Sequence, residues 1–262
     1  MTEDLINCSG ARLRAAIRSG YHGSTAGLAR NYVQTNILIL PQAYAADFQL
    51  FCYYNEKTCA LLDVLSPGNP HPNISPEADI RTDIGSYQIY ENGRPVETVK
   101  DICALWRDDF VSFLIGCSFT FERAMVQQGI RMKHADEGKN VPMYVTDIPC
   151  ANGSGMKIDM TVSMRPIPAH RIADAVRITA HYPRMHGAPI HIGYPEGIGI
   201  KDIMQPDFGD AIAIGPGELP VFWPCGGTVF TYAQQLACPI CITHTPSHMF
   251  VLDVKDEDYF EF

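Results

Sequence analysis

Twenty-one glycines and nineteen prolines punctuate this 262-residue chain. They gather in knots such as Ser66-Pro67-Gly68-Asn69-Pro70-His71-Pro72 and Gly215-Pro216-Gly217, which break any long helix or strand. Between the knots lie short segments whose apolar spacing switches between the helical and the strand period. That mixture predicts an α/β or α+β architecture. The length allows one large domain, or a core with a smaller subdomain, and either buries a sizeable core. No repeat and no low-complexity stretch interrupts the pattern.

Ser9 to Ser19 reads as a helix, with Ser9 as its cap and Gly20 just past its end. Tyr32 to Leu40 reads as a strand carrying Gln34 and Asn36 on one face, and polar side chains in a buried strand often line a site. Pro41 opens a helix through about Tyr53, and Ala60 to Leu65 is a short strand. Asn92-Gly93 makes Ser86 to Val99 a hairpin. Apolar residues at 102, 105, 106, 110, 113 and 114 predict a helix over Asp101 to Ile115. Gly116-Cys117-Ser118 breaks that run before a helix over Phe119 to Gln128. Met160 to Met164, His170 to His181 and Pro189 to Ile192 read as a βαβ-like unit. Val221-Phe222-Trp223 enters a helix ending near Ala237, and Pro239 to Thr243 and His248 to Val254 are closing strands.

The formal net charge of −9, with no Lys/Arg cluster, argues against a nucleic-acid partner. No apolar run approaches the roughly 20 residues of a membrane span, which excludes a membrane partner of that kind. The start, Met1-Thr2-Glu3-Asp4, is acidic where a secretory signal is basic and then apolar, so a cytoplasmic protein is expected. Nine scattered cysteines then read as reduced thiols.

The best-formed chemical signal is Trp223-Pro224-Cys225-Gly226-Gly227-Thr228. A strand entering a Gly-rich turn and a helix start exposes N–H groups suited to a carboxylate, a phosphate or an oxyanion, and favours a thiolate at Cys225. Gly116-Cys117-Ser118-Phe119, with Glu122 one turn along, repeats that logic. The first is equally readable as a tight turn holding a small buried thiol, and the second as a helix kink packing small residues. His186 and His191 sit beside a strand start, and His244 and His248 flank Thr245-Pro246-Ser247. Cys238, Cys241, His244 and His248 have zinc-ligand spacings, but two residues between the pairs are too few for the chain to turn back, so no metal is assigned. Arg165 ends a strand, where a guanidinium suits either a ligand carboxylate or a structural ion pair.

Several stretches together resemble the D-glutamate cyclase family, whose bacterial members carry a hydro-lyase label. They include Tyr32 to Pro41, Leu105-Trp106-Arg107-Asp108-Asp109, Ile115 to Glu122, Asn140-Val141-Pro142-Met143-Tyr144 and Ser163 to Pro168. His186 to Gly193, Pro206-Asp207-Phe208-Gly209-Asp210, Pro220 to Gly226 and Ile242 to Phe250 extend the likeness over nearly the whole chain. Gly227-Thr228-Val229-Phe230 departs from the family's usual Val-Thr-Pro-Gln and leaves the backbone cradle intact. The resemblance implies an α/β fold: a mixed-sheet three-layer core and a smaller two-layer α+β subdomain, placed here at about 145–205.

The implied activity is reversible dehydration of D-glutamate to 5-oxo-D-proline, a hydro-lyase reaction that needs no cofactor. The residues that suit it are Cys117, Glu122, His186, His191 and Cys225 as acid, base or nucleophile. Asn36, Ser118, Arg165, Gly226, Gly227, Thr228, His244 and His248 suit binding of a small carboxylic or amino-acid substrate. Arg165 would hold the α-carboxylate, and the Gly226-Gly227 or Cys117-Ser118 amides the oxyanion. Two alternatives stand: a hydro-lyase or two-thiol racemase acting on another small acid, and a non-catalytic accessory of oxoproline metabolism. A homo-oligomer is compatible with either.

Overall fold

The computed structural model describes residues 3–153 and 155–261. Met1 and Thr2, half of the acidic start, lie outside the described residues. In chain order, α1 (Glu3–Ile6) and α2 (Gly10–Arg18) precede β1 (Tyr32–Pro41). Next come α3 (Gln42–Tyr54), β2 (Leu61–Leu65) and the hairpin of β3 (Tyr87–Glu91) with β4 (Arg94–Val99). β5 (Phe110–Gly116) enters α4 (Phe119–Gln127), and α5 (Lys133–Asp136) is a single turn. β6 (Met143–Pro149), β7 (Asp159–Pro168), α6 (Ile172–Ala180), β8 (His191–Ile192) and β9 (Glu218–Pro224) follow. α7 (Thr228–Gln235), β10 (Cys241–His244) and β11 (Phe250–Lys255) complete the order.

Local signals act where they were read. The Ser9 hydroxyl accepts the Arg12 N–H at 3.2 Å and caps α2. Asn92 and Gly93 take φ of 49° and 77°, the left-handed pair that closes a two-residue hairpin. The expected α/β mixture is present, and both sheets are antiparallel at every pairing among the described residues.

The larger sheet runs β2-β5-β1-β10-β3-β4, and β11 also pairs with β1. β1 is its axis. One edge of β1 pairs with β5 from Thr35 to Pro41. The other edge is shared, with β10 opposite Leu38 and Ile39 and β11 opposite Tyr32, Gln34 and Thr35. The two strands part beside Asn36, and the loop joining them must bulge away there. Both faces of β1 are covered. Val33, Ile37 and Ile39 join Phe121 of α4 and Ile178 of α6, while Leu38 and Leu40 join Phe48 of α3 and Phe230 of α7. Val221 and Trp223 of the second sheet, ordered β6-β7-β9-β8, complete the first of those clusters.

Two expectations are corrected, and one strand was not read at all. Asp101 to Ile115 is no helix: a short 3-10 turn at Cys103–Leu105 precedes the strand β5. All seven residues of β5 are buried, and a strand covered on both faces loses its alternation and mimics a buried helix. β7, α6 and β8 form no adjacent βαβ pair, because β9 lies between the two strands. β6, which carries no clear period, was not foreseen. No helix among the described residues is long and apolar enough to cross a membrane.

Candidate active site

The two strand–cysteine–helix turns meet. Cys117 joins β5 to α4 and Cys225 joins β9 to α7, and both line one small hollow. Asn36, Ser118 and His244 share its wall. The Gly227 amide donates to the Cys225 sulfur at 3.3 Å, and the Phe119 amide does the same for Cys117. Burial nevertheless dominates and pushes both thiols up, so both are protonated at neutral pH.

Gly226 is required by space. A Cβ there would lie 2.1 Å from Asn36 Nδ2, whose side chain is pinned on both sides. Gly226→Ala is therefore expected to push Asn36 off its partners. Overpacking of this kind costs about 1–3 kcal/mol, and catalysis should fall on the order of 100-fold from misplacement alone. Thermal melts and steady-state rates check both, and a fully active variant would remove Asn36 from the site.

Asn36 Nδ2 donates to the Gly116 carbonyl at 2.8 Å, which turns Oδ1 toward His244 Nε2 at 3.1 Å. His244 Nδ1 lies 2.7 Å from the Thr245 carbonyl. Both ring nitrogens thus face acceptors, and a neutral imidazole has one proton to give. Burial holds His244 neutral, with its pKa pushed down to about 4. The site is laid out for the charged ring and the interior keeps it uncharged.

Arg165 lies behind the wall. Its guanidinium is 1 % exposed and is stacked over Phe121 and Trp223 at 5.3 and 5.4 Å. Nε and Nη2 donate to Glu122 Oε1, Nη1 to the Ser163 hydroxyl and Nη2 to the Ser118 hydroxyl, each of those two at 2.9 Å. His134 Nε2 stands 3.3 Å from the same Glu122 oxygen. Burial raises the Glu122 carboxyl, but the His134 and Arg165 charges outweigh it and hold the pKa at about 2. Glu122 is consequently an anchored counter-ion, and Ser118 is the group through which Arg165 reaches the hollow.

Other sequence candidates lie around this centre rather than in it. His186 is fully buried at φ 77°, with Nδ1 on the Lys57 carbonyl at 2.8 Å and Nε2 without a partner; burial lowers its pKa to about 4. The Thr228 hydroxyl ties the turn down through the Cys225 carbonyl and Thr58. His191 sits on β8 with Nε2 on the Tyr194 carbonyl, and His248 Nε2 meets the His22 carbonyl. Gly226 and Gly227 follow Cys225 in the turn and do not line the hollow. Among the described residues, no group of three or more His, Cys, Asp or Glu could hold a metal ion.

Sequence reasoning missed His134 and the wall residues Met143, Asn140 and Ser247. His134 sits in a polar run, Lys133 to Asp136, that looks solvated, and only its packing against Phe119 and Glu122 reveals it.

The family described as D-glutamate cyclase matches residues 111–253. A Rubrobacter xylanophilus protein named "Putative hydro-lyase" is 51% identical over 251 residues, covering 95% of this chain and 97% of that one. A Bacillus licheniformis relative with a hydro-lyase name of the same form is 50% identical, covering 94% and 95%. The Bacillus subtilis protein "Putative hydro-lyase YcsI" is 48% identical, covering 94% and 96%.

Proposed function

This chain belongs to the D-glutamate cyclase family, and on that premise we propose that it interconverts D-glutamate and 5-oxo-D-proline with loss or gain of water. The observation that carries the reading is the convergence of Cys117, Cys225, Ser118, Asn36 and His244 on one hollow. The ring-closing step joins the α-nitrogen to the γ-carbon and breaks one γ C–O bond. Folding the substrate so that these atoms touch supplies much of the gain as effective molarity.

His244 is the base. It is neutral when the ammonium arrives, and the proton it accepts completes the two hydrogen bonds already waiting at Asn36 and Thr245. As the C–N bond forms, the second nitrogen proton passes to a γ-carboxylate oxygen. A protonated thiol, Cys225 or Cys117, gives its proton to that hydroxyl as the C–O bond breaks and water leaves, and the His244 proton then restores the thiol. The Gly227 N–H is given to the Cys225 sulfur, which leaves the helix-start amides at Cys117-Ser118 for the developing oxyanion. The Ser118 hydroxyl, polarised by Arg165, takes a substrate carboxylate oxygen. Arg165 is then a positioning cation, not the carboxylate clamp itself.

A two-thiol racemase is the second reading, because both sulfurs share the hollow. It needs one thiolate, however, and burial raises both thiols. Incubation with D-glutamate, L-glutamate and 5-oxo-D-proline, followed by chiral chromatography, separates the readings. Interconversion of D-glutamate with 5-oxo-D-proline is expected, and Cys225→Ala should slow it by about 10²–10⁴. Exchange of D- for L-glutamate supports the racemase, and no change in any acid overturns both.

A further inference from the structure

A second cavity lies beside the hollow and shares Asn140 and Ser247 with it. It is the mouth of the site, and its charges are unevenly committed. Lys139 is paired with Glu137 at 2.8 Å, and Asp210 accepts the Asn140 amide N–H at 2.8 Å. Arg30 is exposed, its Nε on the Gly27 carbonyl at 3.1 Å, and it has no carboxylate within ion-pair distance among the described residues. In a chain of net charge −9, an uncommitted guanidinium at a site mouth is a place for a ligand anion.

The junction between the two cavities carries an independent mark. Asn140 Oδ1 is buried with no hydrogen-bond partner. A buried acceptor left unpaired is costly, and a ligand N–H passing from the hollow to the mouth would satisfy it.

We propose that this cavity is an outer subsite for an acid longer than glutamate: a glutamyl group joined through an N–H to a second, carboxylate-bearing residue. The glutamyl end occupies the hollow, the linking N–H meets Asn140 Oδ1, and the far carboxylate meets Arg30. This deepens the functional reading above and rests on it for the orientation of the glutamyl end.

Isothermal titration with γ-D-glutamylglycine, γ-D-glutamylglycinamide and D-glutamate tests it. The free carboxylate should bind wild-type protein about fivefold more tightly than the amide, the reach of an exposed ion pair. Arg30→Ala should abolish that preference and Arg30→Lys should retain part of it. Equal affinities in wild type, a preference surviving Arg30→Ala, or no binding of either dipeptide overturns the subsite. D-Glutamate left unbound and unconverted beside a clear dipeptide preference overturns the cyclase reading and leaves the subsite standing. D-Glutamate turnover with no dipeptide preference does the reverse.

Discussion

Arg165→Met should lose about 3–5 kcal/mol of folding stability, because it leaves the Glu122 carboxylate with His134 alone and removes its permanent counter-charge. Urea denaturation measures this directly. The double variant Arg165→Met/Glu122→Leu should recover at least half of the loss, since it leaves no orphaned carboxylate and the His134 ring, now without its partner, can stay neutral. Activity should not recover with it. Ser118 keeps its hydroxyl in both variants but loses the guanidinium N–H that orients and polarises it. A stable and fully active double variant would show the ion pair to be scaffolding alone. A single variant costing under ~1 kcal/mol would mean that the carboxylate reaches solvent.

Acid should unfold the protein well before its other carboxylates are exhausted. His186 and His244 are neutral in the fold, each with its pKa near 4 against an ordinary value of 6.5. As pH falls below 6.5 the unfolded chain binds protons that the folded chain refuses, so stability is lost progressively down to about pH 4. Each imidazole contributes on the order of 3 kcal/mol to that loss. Glu122 adds a separate, lower window: its carboxyl, ordinarily near 4.5, is held at about 2, so its contribution is present above 4.5 and fades toward 2. Melting curves from pH 7 to 4.5 should fall steeply, and the His186→Gln/His244→Gln variant should be flatter over that range. A wild-type melting temperature constant across it would show that both rings escape to water or charge without cost.

The two windows also separate roles at the site. His244 is the ring whose charged form already has both acceptors in place, whereas His186 Nε2 has no partner at all. An acid ligand in the hollow should therefore moderate the loss associated with His244 and leave that of His186 untouched.

Much of the local architecture was written in short-range patterns. The capped α2, the Asn92-Gly93 hairpin, β1 with its buried Asn36, and the strand–cysteine–helix turn at Cys225 each depend on neighbours within a few residues. Sequence spacing reports such neighbours faithfully. The strand β5 was not legible, because burial on both faces removes the alternation that distinguishes strand from helix. Nor could local pattern reveal how Arg165, Glu122 and His134 pair, or that Cys117 and Cys225 face one another's hollow. Those facts follow from where β10 and β11 part company along β1, and from α7 packing against both sheets. Sequence alone determined which residue types stand at strand ends and helix starts. Only the tertiary structure decided which of them share a desolvated space, since burial and ion pairing act between segments that chain order keeps apart.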